Sequence, residues 1–262
     1  MTRSTSFISV PTASPDAVLE TAGTATALAS MHSAQWRPGL AEQGRRVLHG
    51  EVFGSSRDAA AYGAALALAL DDWLSSQSAL DQVREADDPR SILWVQTRGA
   101  ARLTGLPYRP GLPPKLSARI IHVLAATCED ALFALEEGLR CRDLAFVIGE
   151  IDGNPRALDF TASRRLSLAA SRHGVPLWLI RQESARDLSS ARMRWQVASA
   201  PSPLPDWNPQ APGPAAWRAE LFRSRSHAPG EWLLIGGNGG ITAHAWSSAA
   251  ETTAIILPNR SA

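Results

Sequence analysis

The residues with the clearest chemical potential lie between Gly50 and Arg57. A phosphate-binding loop follows a strand as G-x-x-x-x-G-K-[S/T]; its glycines let backbone N–H groups surround the phosphates, and its lysine reaches the β and γ oxygens. The chain has Gly50-Glu51-Val52-Phe53-Gly54-Ser55-Ser56-Arg57 at that place. Ser55 replaces the second glycine, Ser56 the lysine and Arg57 the metal-binding hydroxyl. We therefore predict a degenerate nucleotide loop, with Gly50, Gly54, Ser55, Ser56 and Arg57 as its residues.

The composition excludes several other classes of site. Lys and Arg total 26 against 25 acidic residues, so no overall basic field is available to hold a nucleic acid. The two cysteines have no histidine at ligand spacing, which argues against a zinc site and against a disulfide framework. No run approaches the roughly 18 apolar residues that a membrane-spanning helix needs. We expect a cytoplasmic protein without a metal.

The elements that would position the loop follow from the apolar runs. Strands are predicted at residues 91–96, 119–123, 144–148 and 175–180, the first two of them buried. Helices are predicted at residues 59–74, 129–140 and about 161–172. Thr127 and Asp130 form a capping box for the second helix. Thr161 or Ser163 is expected to begin the third, and Gly174 to end it.

This alternation of strands and helices predicts an α/β fold, with a mainly parallel sheet flanked by helices and ligand chemistry at the carboxyl ends of the strands. After Met193 the predicted strands follow one another at 193–198, 217–223, 231–235 and 241–246, which indicates C-terminal antiparallel β hairpins. We divide the chain into an N-terminal arm or helix (1–40), a core (41–199) and a Pro-rich connection with a hairpin tail (200–262). The tail is a candidate for partner binding.

Three runs of residues resemble the ImuA family: the segment from Ala131 to Arg140 with its Leu-Glu-Glu-Gly-Leu-Arg, the segment from Leu158 to Leu166, and Arg194-Trp195-x-Val197. The resemblance covers roughly residues 45–232. ImuA proteins are RecA-like and SulA-like proteins of a bacterial cassette for DNA-damage-induced mutagenesis. They act with ImuB, a polymerase homologue without polymerase activity, and with an error-prone DNA polymerase III α subunit. The resemblance implies a RecA-like core and a role in the SOS response.

The RecA comparison implies that catalytic groups are missing. A catalytic carboxylate follows the second strand in RecA-like ATPases, where this chain has Gln96-Thr97-Arg98. The metal-holding aspartate ends a later strand, where the chain has Glu150 and, two residues on, Asp152. We interpret both acidic residues as parts of a solvated turn, so no catalytic residue is expected.

Two further features of RecA-like proteins bear on DNA. Gln182 matches the glutamine that senses the γ-phosphate and begins the second DNA-binding loop. That loop is shortened to about residues 183–191, and the first DNA-binding loop to about 152–159. A filament on DNA is therefore not expected, and any DNA contact should be weak.

These observations favour a non-catalytic scaffold of translesion synthesis. It would bind an ImuB-like protein and, through it, bring the error-prone polymerase to damaged DNA, with no cofactor beyond residual ATP binding. We expect it to be cytoplasmic and associated with the nucleoid after DNA damage. The candidate partner-binding residues are Arg164, Arg165, Trp217, Arg218, Arg223, Arg225 and Trp232.

Two alternatives stay open on the sequence. The first is an active RecA-like ATPase with displaced residues, in which Arg57 or Arg98 supplies charge and Glu150 holds the metal. The second is a SulA-like inhibitor of cell division, which rests on kinship of fold alone.

Overall fold

The computed structural model describes residues 47–78, 88–112, 114–205, 207–208, 210–225, 227–237 and 240–246. The predicted N-terminal arm, residues 1–40, lies outside the described residues, and so does the end of the predicted tail, residues 247–262.

Strands and helices alternate up to the fifth strand and strands alone follow in the described part of the chain. The strands are β1 (His49–Gly54), β2 (Ser91–Thr97), β3 (Ile120–Ala125), β4 (Leu144–Asp152), β5 (Leu177–Gln182), β6 (Met193–Ser199), β7 (Ala216–Ser224), β8 (Gly230–Gly237) and β9 (Gly240–Ala245). The helices are α1 (Ala60–Ser78), α2 (Arg98–Thr104), α3 (Pro114–Ser117), α4 (Cys128–Arg140) and α5 (Phe160–His173), with a 3-10 turn at Arg109–Gly111.

The described strands form one nine-stranded sheet in the order β3-β2-β4-β5-β1-β6-β7-β8-β9. The first six strands in this order, β3, β2, β4, β5, β1 and β6, are parallel to one another. From β7 to β9 the sheet continues with antiparallel pairs. The predicted fold class, a mainly parallel sheet flanked by helices with C-terminal antiparallel strands, is confirmed. One detail differs: β6 was expected within the antiparallel hairpins, but it also pairs in parallel with β1.

Helices α4 and α5 pack together on one face of the sheet. Their apolar residues join those of β2, β4 and β5 in one buried cluster. The capping box predicted for α4 is present, because the Thr127 hydroxyl accepts from the Asp130 N–H at 3.1 Å and the Asp130 carboxylate accepts from the Thr127 N–H at 3.2 Å. The predicted apolar face of α4 is buried at Leu132, Leu135 and Leu139.

The start of α5 differs from the prediction and its end agrees. Asp159, and neither Thr161 nor Ser163, caps the helix, since its carboxylate accepts from the Ala162 N–H at 2.7 Å. Asp159 precedes the helix with extended backbone, as an N-cap requires, whereas both predicted residues lie within the first turn. The helix ends at Gly174, which adopts the left-handed conformation with φ of 73°.

Helix α1 packs on the sheet through small side chains. Its buried residues include Ala60, Ala61, Ala64, Ala65 and Leu68. The backbone of the helix start approaches β1 so closely that a Cβ on Gly54 would lie 2.7 Å from the Cβ of Ala61. Small residues on both elements therefore set the position of the β1–α1 connection.

Strand β3 was predicted to be buried, and this was wrong. It forms one edge of the sheet among the described residues, paired with β2 alone. Ile121 and Leu124 are 49% and 46% exposed. An apolar run of strand length predicts a strand, but it does not reveal whether a second neighbour will cover its outer edge.

Candidate functional site

The parallel strands bring most of the predicted chemical residues to one edge of the sheet. In the register of the sheet, Gly54 at the end of β1 pairs with Gln182 at the end of β5. Gln182 also pairs with Asp152 at the end of β4, and Glu150 pairs with Gln96 of β2. The carboxyl ends of these strands therefore form one site, as the α/β topology predicts.

The boundaries of the predicted nucleotide loop were wrong. Gly50 and Gly54 lie within β1, so the connection to α1 consists of residues 55–59 only. A Cβ on Gly50 would lie 2.5 Å from the indole ring of Trp178, which shows that this glycine makes room for a neighbouring side chain. Ser55, Ser56 and Arg57 are the predicted loop residues that lie in the connection. The match of Gly50 to the first glycine of the motif suggested a phosphate cradle. Gly50 and Gly54 instead allow close packing, against Trp178 and Ala61.

The connection binds a carboxylate of its own chain. One oxygen of Glu183, Oε1, accepts from the Ser56 N–H at 2.6 Å and from the Ser55 and Ser56 hydroxyls, each at 2.9 Å. The Ser56 N–H, followed by the two hydroxyls, holds the pKa of Glu183 below its usual range. Glu183 follows the end of β5 directly and has a φ of 47°, a left-handed value that is rare for a residue with a side chain.

A second carboxylate occupies the start of α1. Asp58 Oδ1 accepts from the Ala60 N–H at 2.9 Å, and Asp58 Oδ2 accepts from the Ser199 N–H at 2.7 Å. Burial acts to raise the pKa of Asp58, but the hydrogen bonds from Ser199 and Ala60 outweigh it and lower the pKa. Two N–H groups that a phosphate could use at this connection, those of Ser56 and Ala60, are thus already bound by acidic side chains.

Glu150 is buried, which makes the predicted solvated turn wrong. Strand β4 continues to Asp152, and Glu150 within it is 1% exposed. Its two oxygens accept from Trp94 Nε1 at 2.5 Å and from Gln96 Nε2 at 2.8 Å. Burial raises the pKa of Glu150 to about 7, against the opposite effect of these two hydrogen bonds. A carboxyl group held in this way is a poor ligand for a metal ion, because protonation competes with metal binding at neutral pH.

Gln96 stands at the predicted position of the catalytic carboxylate, and neighbouring groups engage its whole amide. Its Nε2 also donates to the Gly105 carbonyl at 3.0 Å, and its Oε1 lies 2.7 Å from His122 Nε2. Burial, followed by the charge of Arg109, lowers the pKa of His122. The amide therefore links β2, β3, β4 and the end of α2, and it is not directed at a substrate.

Asp152 is covered by the start of α2. Its Oδ1 accepts from the Thr97 hydroxyl at 2.7 Å, and a Cβ on Gly99 would lie 2.4 Å from both carboxylate oxygens. In the described part of the chain, no group of three or more His, Cys, Asp or Glu side chains is arranged to hold a metal ion. The two acidic residues that could have replaced the metal ligand thus serve contacts within the fold.

Gln182, the predicted γ-phosphate sensor, is fully buried. Its Nε2 donates to the Tyr62 hydroxyl of α1, and its Oε1 has no hydrogen-bond partner in the structure. Burial raises the pKa of the Tyr62 hydroxyl, which therefore stays neutral. This contact directs the glutamine amide toward α1.

The two shortened loops are tied to each other. Asn154, in the loop after β4, accepts from the Ala185 N–H at 2.7 Å and donates to Asp187 Oδ2 at 3.0 Å. The Ser184 hydroxyl of the second loop donates to the Gly153 carbonyl at 2.6 Å. Asn154, Ser184 and Asp187 thus connect the two loops to each other.

The second loop is also joined to the core by charged groups that the sequence did not predict. Glu51 of β1 is fully buried and accepts from Arg194 Nε at 2.6 Å and from the Ser189 hydroxyl at 2.5 Å. Glu51, Glu183 and Tyr62 are the residues of this region that sequence reasoning missed. Glu183 follows Gln182, whose strand pairs with β1, so it lies beside the connection that follows β1.

The predicted partner-binding residues fall into two separate regions. Arg164 and Arg165 are exposed on α5, where Arg165 forms a salt bridge with Glu136 of α4 at 3.1 Å. The other five belong to β7, β8 and the turn between them. Of these, Trp217 is buried against α1 and β8, so its ring is not available to a partner in this fold.

The remaining four of these residues are more accessible. Arg218 forms a salt bridge with Glu231 at 2.9 Å and lies 5.0 Å from the Trp246 ring centroid. Arg223 and Arg225 are exposed, and Trp232 is half-buried. Since β7 to β9 continue the central sheet, these residues belong to the main body of the fold.

None of the described helices is long and apolar enough to cross a bilayer.

Comparison with known proteins gives a sequence relationship. No protein-family model matches the chain. The chain is 35% identical over 158 residues to "Protein ImuA" of Caulobacter vibrioides, with the same values for the proteins of two strains. The match takes in 55% of this chain and spans 59% of the length of these curated relatives.

Proposed function

Because the chain is 35% identical over 158 residues to proteins named ImuA, we propose that it is an ImuA-like accessory factor of DNA-damage-induced mutagenesis that works without nucleotide hydrolysis. It binds an ImuB-like protein and, through that protein, helps to bring an error-prone DNA polymerase III α subunit to damaged DNA. The RecA-like core then serves as a docking body, and its strand-end site stabilises the fold.

The observation that carries this proposal is the Glu183 carboxylate bound by Ser55 and Ser56. A triphosphate at this connection would have to displace three hydrogen bonds and would lie against the charges of Glu183 and Asp58. Like charges held close together repel each other. Since no lysine stands in the loop to offset this repulsion, the site opposes phosphate binding.

The alternative of a displaced ATPase is weaker. Glu150 is the residue that this alternative needs to hold the metal, but both of its oxygens already accept N–H donors. Its pKa of about 7 leaves the carboxyl group partly protonated at neutral pH. Arg57 is exposed and is followed directly by the acidic residue Asp58 in the same connection.

Contact with DNA would be indirect under this proposal. The loops after β4 and β5 use their polar groups on each other, and the formal net charge is +1. Association with the nucleoid after DNA damage would then depend on the partner. Fluorescence microscopy of a tagged chain should show nucleoid foci after damage in cells with the ImuB-like protein and diffuse signal in cells without it.

The central test measures two affinities of the purified full chain by isothermal titration. The ImuB-like protein of the same genome should bind, and Mg-ATP should give no heat at about millimolar concentration, which corresponds to binding weaker than about 4 kcal/mol. Mg-dependent ATP turnover that disappears in Glu150→Gln would overturn the proposal in favour of the ATPase. Glu183→Ala is the matched variant for the Mg-ATP titration, because it removes the carboxylate that Ser55 and Ser56 bind and leaves the sequence of residues 55–59 unchanged.

A further inference from the structure

Helix α5 carries an outward stripe that the fold does not use. Phe160, Arg164, Leu168 and Arg172 recur every fourth residue, and all four are exposed; Phe160 is 48% exposed and Leu168 is 59% exposed. Residues four apart lie on the same face of a helix. The opposite face packs into the core through Ala162, Ser163, Leu166 and Ala170. The core therefore does not require the outward apolar residues.

The elements on both sides of α5 add exposed apolar residues. On one side α4 is joined to α5 by the Arg165–Glu136 salt bridge and presents Phe133, which is 66% exposed. On the other side the segment after β5 is joined to α5 by the hydroxyl contact of Ser189 with Ser163 at 2.8 Å. That segment presents Leu188, which is 76% exposed.

The charges of the stripe are not compensated by the surrounding fold. Among the described residues, no carboxylate lies within ion-pair distance of Arg164 or Arg172, whereas Arg165 has Glu136. A helix rises about 1.5 Å per residue, so the two arginines are about 12 Å apart along the axis with Leu168 between them. A complementary surface would place acidic groups at this spacing on either side of apolar residues.

We propose that this stripe, formed by Phe160, Arg164, Leu168 and Arg172, docks an acidic amphipathic helix. The inference rests on the proposed function, in which the helix belongs to the ImuB-like protein. A helix with apolar residues and carboxylates at four-residue spacing matches the stripe, with carboxylates opposite the arginines and apolar residues against Phe160 and Leu168. Nucleic acid fits less well, because the apolar residues between the arginines would face phosphates.

The test compares two double charge reversals in the full chain. Arg164→Glu/Arg172→Glu changes the stripe, and Arg102→Glu/Arg142→Glu is the matched control, since it makes the same change of net charge at exposed arginines that are not candidates for partner binding. The probe is the purified full-length ImuB-like protein. We expect the stripe variant to bind roughly 30-fold more weakly, since each reversal replaces an attraction to a partner carboxylate by a repulsion. The control should change affinity by less than about threefold.

Leu168→Ala separates the apolar contribution from the charges. It should weaken binding about fivefold without altering the salt dependence, whereas the arginine variant should lose most of that dependence. Thermal melting of each variant should match that of the unmodified chain, because the altered side chains are exposed.

The outcomes distinguish this inference from the proposed function. If the ImuB-like protein binds the unmodified chain and both double variants equally well, the stripe is not the interface and the scaffold proposal stands. If the unmodified chain does not bind it at all, both proposals fail. If the stripe variant loses binding of a 30-residue oligo-thymidine probe and keeps the protein partner, the stripe is a nucleic-acid contact and the inference is wrong.

Discussion

Replacing Glu150 by glutamine tests whether this buried carboxyl group is protonated in the folded protein at neutral pH. Glutamine has nearly the same size, retains an oxygen that can accept from Trp94, and carries no charge at any pH. The pKa of Glu150 is raised from 4.5 to about 7 in the folded protein, chiefly by burial. Between these two pH values the folded chain holds a proton that the unfolded chain has released.

The sign and size of the effect follow from this difference. A group with a raised folded-state pKa stabilises the fold fully below its unfolded pKa, and this contribution is lost as the pH rises through the folded pKa. Each pH unit between the two values corresponds to 1.36 kcal/mol, so the protonated Glu150 contributes about 3 kcal/mol at low pH and almost nothing above about pH 8.

The assay must separate Glu150 from His49, whose effect runs the other way. Burial, assisted by Arg194 and opposed by Glu51, lowers the pKa of His49 from 6.5 to about 4. Its contribution is therefore present above pH 6.5 and lost as the pH falls toward 4, which partly cancels the effect of Glu150 in the unmodified chain. Subtracting the unfolding free energy of Glu150→Gln from that of the unmodified chain at each pH removes the His49 contribution.

Urea unfolding at several pH values between about 5 and about 8 gives this difference. We expect it to fall by about 2 to 3 kcal/mol as the pH rises over that interval. Glu183→Gln is the control, because the pKa of Glu183 is lowered from 4.5, so its contribution is fully present above that pH and its difference should stay flat over this interval. A difference for Glu150→Gln that stays flat or rises with pH would refute the reasoning, since it would show an ionised Glu150 in the folded chain.

Three substitutions test the packing and charges around the sheet, each by urea unfolding. Glu51→Gln removes the closer, buried counter-charge of Arg194 and leaves only Asp187, 3.6 Å away, so it should cost about 3 kcal/mol; a cost below about 1 would show that the Glu51–Arg194 pair is not buried together. Gly138→Ala places a Cβ 2.2 Å from a Leu93 methyl group and should cost about 1 to 3 kcal/mol; a neutral result would mean that α4 lies farther from β2. Thr127→Ala removes the capping hydroxyl of α4 and should cost about 1 kcal/mol, and an unchanged stability would argue against the capping box.

The sequence predicted the elements that depend on local patterns. Apolar runs bounded by turn residues located β2, β4 and β5, and the capping box at Thr127 located the start of α4. Gly174 was expected to end α5 because only a residue without a side chain adopts left-handed backbone at low cost. These signals lie within a few residues of the structure that they specify.

Predictions that required knowledge of neighbouring elements were less successful. Glu150 was interpreted as part of a solvated turn because its sequence neighbours are polar, but β4 continues through it and Trp94 and Gln96 surround it. Gly50 and Gly54 were assigned to a phosphate loop because Gly50 stands at the first glycine of the motif, but contacts with Trp178 and Ala61 explain the two glycines. In each case the decisive contact comes from a strand or helix remote in sequence.

By itself, the sequence determined that the loop after β1 lacks a lysine and that no catalytic carboxylate follows β2, because side-chain identity is fixed without any fold. Only the tertiary structure decided what occupies these places. Pairing of β1 with β5 brings Glu183 to Ser55, 128 residues away in the chain, and pairing of β2 with β4 brings Glu150 to Gln96. Parallel strands are joined through long connections, so the side chains that meet at their ends come from distant parts of the sequence and carry no local signal of the meeting.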